Sequence, residues 1–276
     1  MQFVKMQGAG NDFIILNDLD GSIKQEEFSN LASRLCQRRL SVGADGMIIV
    51  LPADGNADFR MLFYNADGSL GEMCGNGARC ICRYAYENKL SGEEQVFETT
   101  AGIVRGRRID KTNYQVKLNS PSHIDLVHSV QVPGISMDVS YIELGTPGLP
   151  HCVAPIDDLE KIGSDRLRSL GKALRYYKDF PKGANVTFVQ ILDRSHLKAV
   201  TYERGVEDFT LACGTGCGAT ATAMTLLHKV APEGVQIDMP GGKLYVNLRI
   251  INGEVVDIFL TGPTLIVYRG DLVENY

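Results

Sequence analysis

The chain carries the same cysteine-headed turn twice. "EMCGNGARC", Glu72 to Cys80, and "ACGTGCGA", Ala212 to Ala219, each place a cysteine directly before Gly-x-Gly. The segments around them follow the same duplication at an offset near 140 residues. "GAGNDFIIL" from Gly8 falls on "GLPHCVAPI" from Gly148, and "VGADGMIIV" from Val42 falls on "KGANVTFVQ" from Lys182. "FRMLFYNADG" falls on "LKAVTYERGV", setting Tyr64 beside Tyr202, and "TTAGIVRGRRI" falls on "MPGGKLYVNLRI". Order is kept throughout and spacing drifts by a residue or two, so the chain is expected to build one supersecondary plan twice.

The local patterns repeat as well. "DFRMLFYN" alternates Phe59, Met61 and Phe63 as a half-buried strand does, and "HLKAVTYE" does the same in the second copy. "NADGSLGEM" is turn chemistry. A helix is expected to open at Gly75, with Ile81, Tyr84, Ala85 and Asn88, and to end near Ser91-Gly92. Its counterpart is expected over Gly214 to Val230, dense in Gly216, Gly218, Ala219, Ala221 and Ala223 so that strands can lie close to it. Each half therefore reads as a sheet wrapped on a central helix with a cysteine at the helix start. Phe28, Leu31, Ala32 and Leu35 form one further helical stripe, and Leu159, Ile162, Leu167, Leu170 and Leu174 a looser one. The first half is expected to span 1–118, joined by the C-terminal segment 265–276, and the second half 119–264.

Composition narrows the partners. A length of 276 residues with 44% hydrophobic and 22% charged residues is ordinary for a globular chain. A net charge of -5 argues against nucleic acid. The longest uncharged run, Phe209 to His228, is rich in Gly, Thr and Ala, unlike the roughly 20 apolar residues of a bilayer span. The opening "MQFVKMQGAGNDFIILND" lacks the three-part pattern of a signal peptide. Seven cysteines without a secretion signal are expected to be free thiols in the cytoplasm.

A helix N-terminus carries unpaired N–H groups and partial positive charge, which favours a thiolate and binds carboxylates. Cys74 and Cys213 are thus candidate reactive thiols. Two such groups on opposite sides of one carbon can invert an amino-acid centre: a thiolate removes the Cα proton and a thiol returns one to the other face. A single base would return its proton to the face it came from. Two identical turns are what a two-faced reaction requires.

The motifs "KMQGAGNDF", "FYNADGSLGEMCGNGARC", "LPHCV", "ANVTFVQI" and "YERGVEDFTLACGTG" resemble the diaminopimelate epimerase family, from about Lys5 to "LTGP" at Leu260–Pro263. The resemblance implies an α/β (α+β) fold of two pseudo-symmetric halves, each a mixed β-barrel-like sheet around a central helix, with the site in the interdomain cleft. It implies epimerisation of LL-diaminopimelate to the meso form without a cofactor and without a metal, in lysine and peptidoglycan precursor synthesis. Cys74 and Cys213 match the catalytic pair. Gly75-Asn76 and Gly214-Thr215 match the backbone donors to the reacting carboxylate. Asn11, Asn65, His151, Asn185, Glu203 and Arg204 match substrate-binding positions, with Arg204 suited to a distal carboxylate and Glu203 to an ammonium. The expected partner is a small-molecule amino acid, not nucleic acid or a membrane, and the expected assembly is a homodimer. The chain departs from the pattern at Leu149, where the family commonly has an Asn that contacts the substrate's distal end; some relatives carry an aliphatic residue there.

Other readings weigh less. Structural zinc prefers cysteine pairs on tight knuckles, whereas Cys74, Cys80 and Cys82 share one helix. No Cys-x-x-Cys pair supports a thiol–disulfide oxidoreductase. "GTGCGA" lacks the following acidic residue of a dinucleotide site. Cys36, Cys80, Cys82 and Cys152 read as buried small hydrophobes. A racemase of another amino acid, such as histidine, and a non-catalytic thiol redox or ligand-binding protein remain as alternatives.

Overall fold

In a computed structural model of the protein, which describes residues 1–71 and 73–273, the chain divides into two compact units, Met1–Val116 with Thr261–Tyr276 and Lys117–Leu260. Glu72 of the first cysteine motif, and residues 274–276 of the C-terminal segment, lie outside the described residues.

The first unit begins with β1 (Gln2–Gly8), antiparallel both to β2 (Asn11–Asn17) and to the C-terminal strand Leu265–Asp271. The apolar run Phe13 to Leu16 is fully buried, as a strand covered on both faces must be. After helix α1 (Phe28–Leu35) comes β3 (Gly46–Leu51), parallel to β2. β4 (Phe59–Asn65) and β5 (Leu70–Gly71) follow, each antiparallel to its predecessor. Helix α2 (Gly75–Glu87) leads to β6 (Glu94–Thr99), parallel to β4, then β7 (Gly102–Arg108) and β8 (Asn113–Leu118), each antiparallel to the strand before it.

The second unit repeats this order. β9 (Pro121–Val132) and β10 (Ile135–Leu144) are antiparallel, and β10 is antiparallel to β11 (Leu149–Pro155). Helices α3 (Leu159–Ile162) and α4 (Ser164–Arg175) precede β12 (Asn185–Ile191), parallel to β11. β13 (His196–Tyr202) and β14 (Phe209–Thr210) are antiparallel additions. Helix α5 (Gly214–Leu226) leads to β15 (Val235–Met239), parallel to β13, then antiparallel β16 (Gly242–Ile251) and finally β17 (Glu254–Pro263). Strand directions around α2 and around α5 thus agree step for step, giving the mixed α+β fold of two like halves.

Both central helices are buried around nearly their whole circumference. Gly75 to Ala85 are all buried in α2, as are Gly214 and Gly216 to Thr225 in α5. The small residues of α5 follow from that enclosure: a Cβ on Gly218 would lie 2.8 Å from Leu118 and 3.2 Å from Ile258. α2 instead carries arginines inward. Arg79 is wholly buried, and Arg83 donates to the Thr264 carbonyl at 2.6 Å.

The helices end earlier than their composition suggests. α2 stops at Glu87 and α5 at Leu226, each after 13 residues. Lys89 (φ 60°) and His228 (φ 57°) then turn left-handed. Leu90 N–H donates to Ala85 O at 2.9 Å and Lys229 N–H to Met224 O at 2.8 Å, satisfying carbonyls of the last turn as in a Schellman ending.

The stripe of α1 buries Phe28, Leu31, Ala32 and Leu35 as its spacing requires. That of residues 159–175 is broken by Gly163 (φ 78°) into α3 and α4, which bury Leu159, Leu167, Leu170 and Leu174. α1 is tied to the turn after β4, where Ser29 Oγ donates to Gly68 O at 2.7 Å. Gly68 has φ 87°, and a Cβ there would stand 2.5 Å from the Ser29 carbonyl oxygen. Left-handed strain and the backbone clash act together, so Gly68→Ala is expected to destabilise the protein by roughly 2–4 kcal/mol. A denaturant midpoint equal to that of the parent would contradict the stated packing.

Candidate active site

Each unit delivers its cysteine the same way. Cys74 caps α2 in extended conformation (φ -123°, ψ 115°), and Cys213 caps α5 likewise (φ -113°, ψ 105°). Their carbonyls accept the first helical bonds, from Ala78 N–H at 2.8 Å and Cys217 N–H at 2.9 Å. Each sulfur therefore sits at the positive end of a buried helix. Gly75 and Gly214 open those helices, and both are buried.

In the first unit Cys74 is half-buried, and its Sγ donates to Asn11 Oδ1 at 3.4 Å. The same oxygen accepts from Asn76 Nδ2 at 3.3 Å. Asn11 Nδ2 donates to Asp45 Oδ2 at 2.8 Å. Behind these lies an ionic cluster. Arg38 bridges Asp12 (2.6 Å) and Asp45 (2.8 Å), and Lys5 pairs with Asp12 at 2.8 Å. Burial alone would raise the Asp12 carboxyl, but hydrogen bonds from Arg38 and Lys5 outweigh it and hold the group at about 2. Asn65, exposed at the end of β4, donates from Nδ2 to Ser69 Oγ at 2.9 Å.

In the second unit Cys213 is buried. Burial, then the Glu203 carboxylate, pushes its thiol well above the ordinary value, while the Gly216 N–H and the Thr215 hydroxyl act in the opposite sense. Thr215 Oγ1 stands 3.7 Å from the sulfur. β11 and β12 set His151 opposite Asn185. Asn185 Oδ1 accepts from the Arg204 backbone N–H at 2.9 Å, and the Arg204 guanidinium donates to Lys182 O at 3.1 Å. His151 is fully buried, and neither ring nitrogen has a hydrogen-bond partner among the described residues. Burial, reinforced by Arg204, lowers its pKa to about 3, so the ring is neutral. Leu149 is half-buried and opposes Leu144.

The positions singled out in the sequence thus gather into two half-sites: Cys74, Asn11, Gly75 and Asn76 in one, and Cys213, Gly214, Thr215, Glu203, Arg204, Asn185 and His151 in the other. Asn65 and Leu149 stand at strand ends. Burial raises Cys36 to about 11, Cys80 to about 12, and Cys82 and Cys152 further, which favours their protonated form. Sequence reasoning missed the charges that support the first half-site: Lys5, Asp12, Arg38, Asp45 and Arg79. A signal did exist at Lys5, a cation between Val4 and Met6 in β1 that demands a partner once buried. Among the described residues no His, Cys, Asp and Glu side chains gather in threes as metal ligands, and no helix is long and apolar enough to cross a membrane.

Solved structures share this architecture. A phenazine biosynthesis protein of the PhzF family from Bacillus anthracis superposes with a TM-score of 0.77 at 15% identity, over 99% of each chain. A hydroxyproline epimerase from Agrobacterium vitis does so with 0.68 at 16% identity, over 98% of this chain and 91% of that one. Those likenesses establish the fold class. At the level of sequence, the model of the diaminopimelate epimerase family matches residues 3–124 and 145–267. A diaminopimelate epimerase of Aquifex aeolicus (strain VF5) is 36% identical over 289 aligned positions, covering 100% of this chain and 99% of the relative. One of Hydrogenobaculum sp. (strain Y04AAS1) is 38% identical, covering 99% and 98%. The chain belongs to the diaminopimelate epimerase family and is an isomerase.

The Asp12 cluster has a pH signature. The carboxyl titrates at about 2 in the fold and near 3.9 in an unfolded chain, so its stabilisation is complete above about pH 4 and is lost as pH falls towards 2. Denaturant unfolding of the parent and of Asp12→Asn should therefore differ most at pH 6 and converge between pH 4 and 2.5. A gap independent of pH would contradict the ion-pair assignment.

Proposed function

We propose that this protein interconverts LL- and meso-diaminopimelate by passing Cα protons through Cys74 and Cys213, with no cofactor. The observation that carries the reading is the paired placement of a cysteine at the N-terminus of a buried central helix, once in each half of a chain from this family. In the reaction the two sulfurs flank one Cα. A thiolate takes the Cα proton, the electron pair moves into the carboxylate, and the opposite thiol gives its proton to the other face. The cysteines finish with their protonation states exchanged. The developing charge on the carboxylate is met by the first-turn amides after Cys74 and Cys213, where oriented N–H groups stabilise it most.

The two sulfurs have different neighbours. Cys74 donates to an amide oxygen, which favours the thiol. Burial and the Glu203 carboxylate favour the thiol at Cys213 as well, against the Thr215 hydroxyl and the Gly216 N–H. The base in each direction is the cysteine that loses its proton when substrate fills the site. His151, a buried neutral ring with no partner for either nitrogen among the described residues, is suited to a polar group of the substrate.

Substrate choice turns on Leu149 and Arg204. Replacing an amide contact by leucine removes one neutral hydrogen bond, about 0.5–1.5 kcal/mol. Leaving a distal carboxylate without its cation in a closed site costs about 3–5 kcal/mol. Arg204 therefore dominates. Across a panel of amino acids assayed for inversion, diaminopimelate should react fastest. Arg204→Ala should lower its kcat/KM by at least about a hundredfold, and Leu149→Asn should raise it by no more than about tenfold. Faster racemisation of histidine or another single-headed amino acid would favour the alternative that Leu149 suggests. Absence of Cα exchange with every member would leave a binding protein.

A further inference from the structure

We propose that Asp45 is a positioning residue for the Cys74 thiol, acting through the Asn11 side-chain amide. This rests on Cys74 being a reacting thiol, as argued above. Hydrogen-bond polarity fixes which atom the thiol meets. A guanidinium donates only and a carboxylate accepts only, whereas an amide does both and can be turned around. Here two amides lie in series between one group of each fixed kind. Arg79 Nη2 donates to Asn76 Oδ1 at 2.9 Å, which turns the Asn76 NH2 outward. Asn76 Nδ2 donates to Asn11 Oδ1 at 3.3 Å, and Asn11 Nδ2 donates to Asp45 Oδ2 at 2.8 Å. The series runs one way, from a buried cation to an anion, and reversing either amide would set donor against donor at one end and acceptor against acceptor at the other.

The consequence falls on the sulfur. With the series in this sense, Asn11 shows Cys74 an oxygen and not an N–H, at 3.4 Å. An oxygen accepts from a thiol and repels a thiolate; a reversed Asn11 would do the opposite. Asp45 is itself held from three sides. Arg38 donates to Oδ1 at 2.8 Å, Asp12 N–H donates to Oδ2 at 3.1 Å, and Asp45 N–H returns a bond to Asp12 Oδ1 at 3.0 Å. Among the described residues, the charged groups bearing on the relay are Arg79 at one end and Asp45, Arg38, Asp12 and Lys5 at the other. In the duplicated plan the positions of Asn11, Asp45, Asn76 and Arg79 fall on His151, Asn185, Thr215 and Gly218, so the polarity lock belongs to the first half alone.

Asp45→Asn tests this with nearly unchanged shape, because it replaces the acceptor-only end of the series by a group that also donates and leaves Asn76 as the remaining hold on the sense of Asn11. In the full-length protein without substrate, Cys74 and Cys213 alkylation by iodoacetamide at pH 7 is followed by peptide mapping. Asp45→Asn should speed alkylation of Cys74 at least threefold and leave Cys213 unchanged, while Asp45→Glu, which keeps an acceptor-only group, should stay within twofold of the parent. Unchanged Cys74 reactivity in Asp45→Asn would overturn the proposal, as would equal acceleration at both cysteines or equal effects of the two variants. This readout needs no turnover, so it is separable from the functional reading. With diaminopimelate, Asp45→Asn should lower kcat by more than it raises KM, and the reverse would assign Asp45 to substrate binding instead.

Discussion

Both half-sites depend on one physical arrangement, a helix N-terminus enclosed by its own sheet and presented directly after a cysteine. Exposed to water, the first-turn amides and the helix dipole would be screened to little effect. Enclosed, as α2 and α5 are, they are the strongest fixed positive potential available without a charged side chain. The same enclosure accounts for small residues along α5, where a Cβ on Gly218 would meet Leu118 and Ile258. The proposed reaction, which gathers negative charge on a carboxylate, is the kind of chemistry that such a potential favours.

Around this common plan the halves diverge in their polar groups. The first has an ionic cluster of Asp12, Asp45, Arg38 and Lys5, of which Asp45 accepts from the Asn11 amide, and Arg79 behind Asn76. The second buries its cysteine more deeply and surrounds it with Glu203, Thr215 and a neutral His151. In the proposed reaction one thiol is ionised while the other is protonated, and the two sulfurs meet different neighbours on the same scaffold.

Much of this was legible in the chain because duplication doubles every signal. The alternation in Phe59–Phe63 and its copy marked the strands, and the paired Cys-Gly-x-Gly marked the helix starts. Helix ends were not legible. Lys89 and His228 terminate α2 and α5 in left-handed conformation although neither is glycine, so the expected stop at Ser91-Gly92 lay beyond the true one. Gly163, inside an apparently continuous helical stripe, gave no sign that its φ would be positive. The support of the first half-site was hidden for another reason. Asp45 meets Asn11, and Arg38 meets Asp12 and Asp45, through the pairing of β2 with β3, which sequence spacing does not encode.

The central claim, that the two faces of one carbon are served by two thiols, is tested most directly in deuterium oxide. LL-diaminopimelate is incubated with the enzyme, and the isotopic content of each stereoisomer at Cα is measured at early conversion. Two bases predict product that carries deuterium at the inverted centre while unreacted substrate still carries hydrogen, because the thiol that delivers has exchanged with solvent and the thiolate that removes holds the original proton. Deuterium appearing in recovered substrate as fast as in product, or product that retains the original hydrogen, would contradict the account.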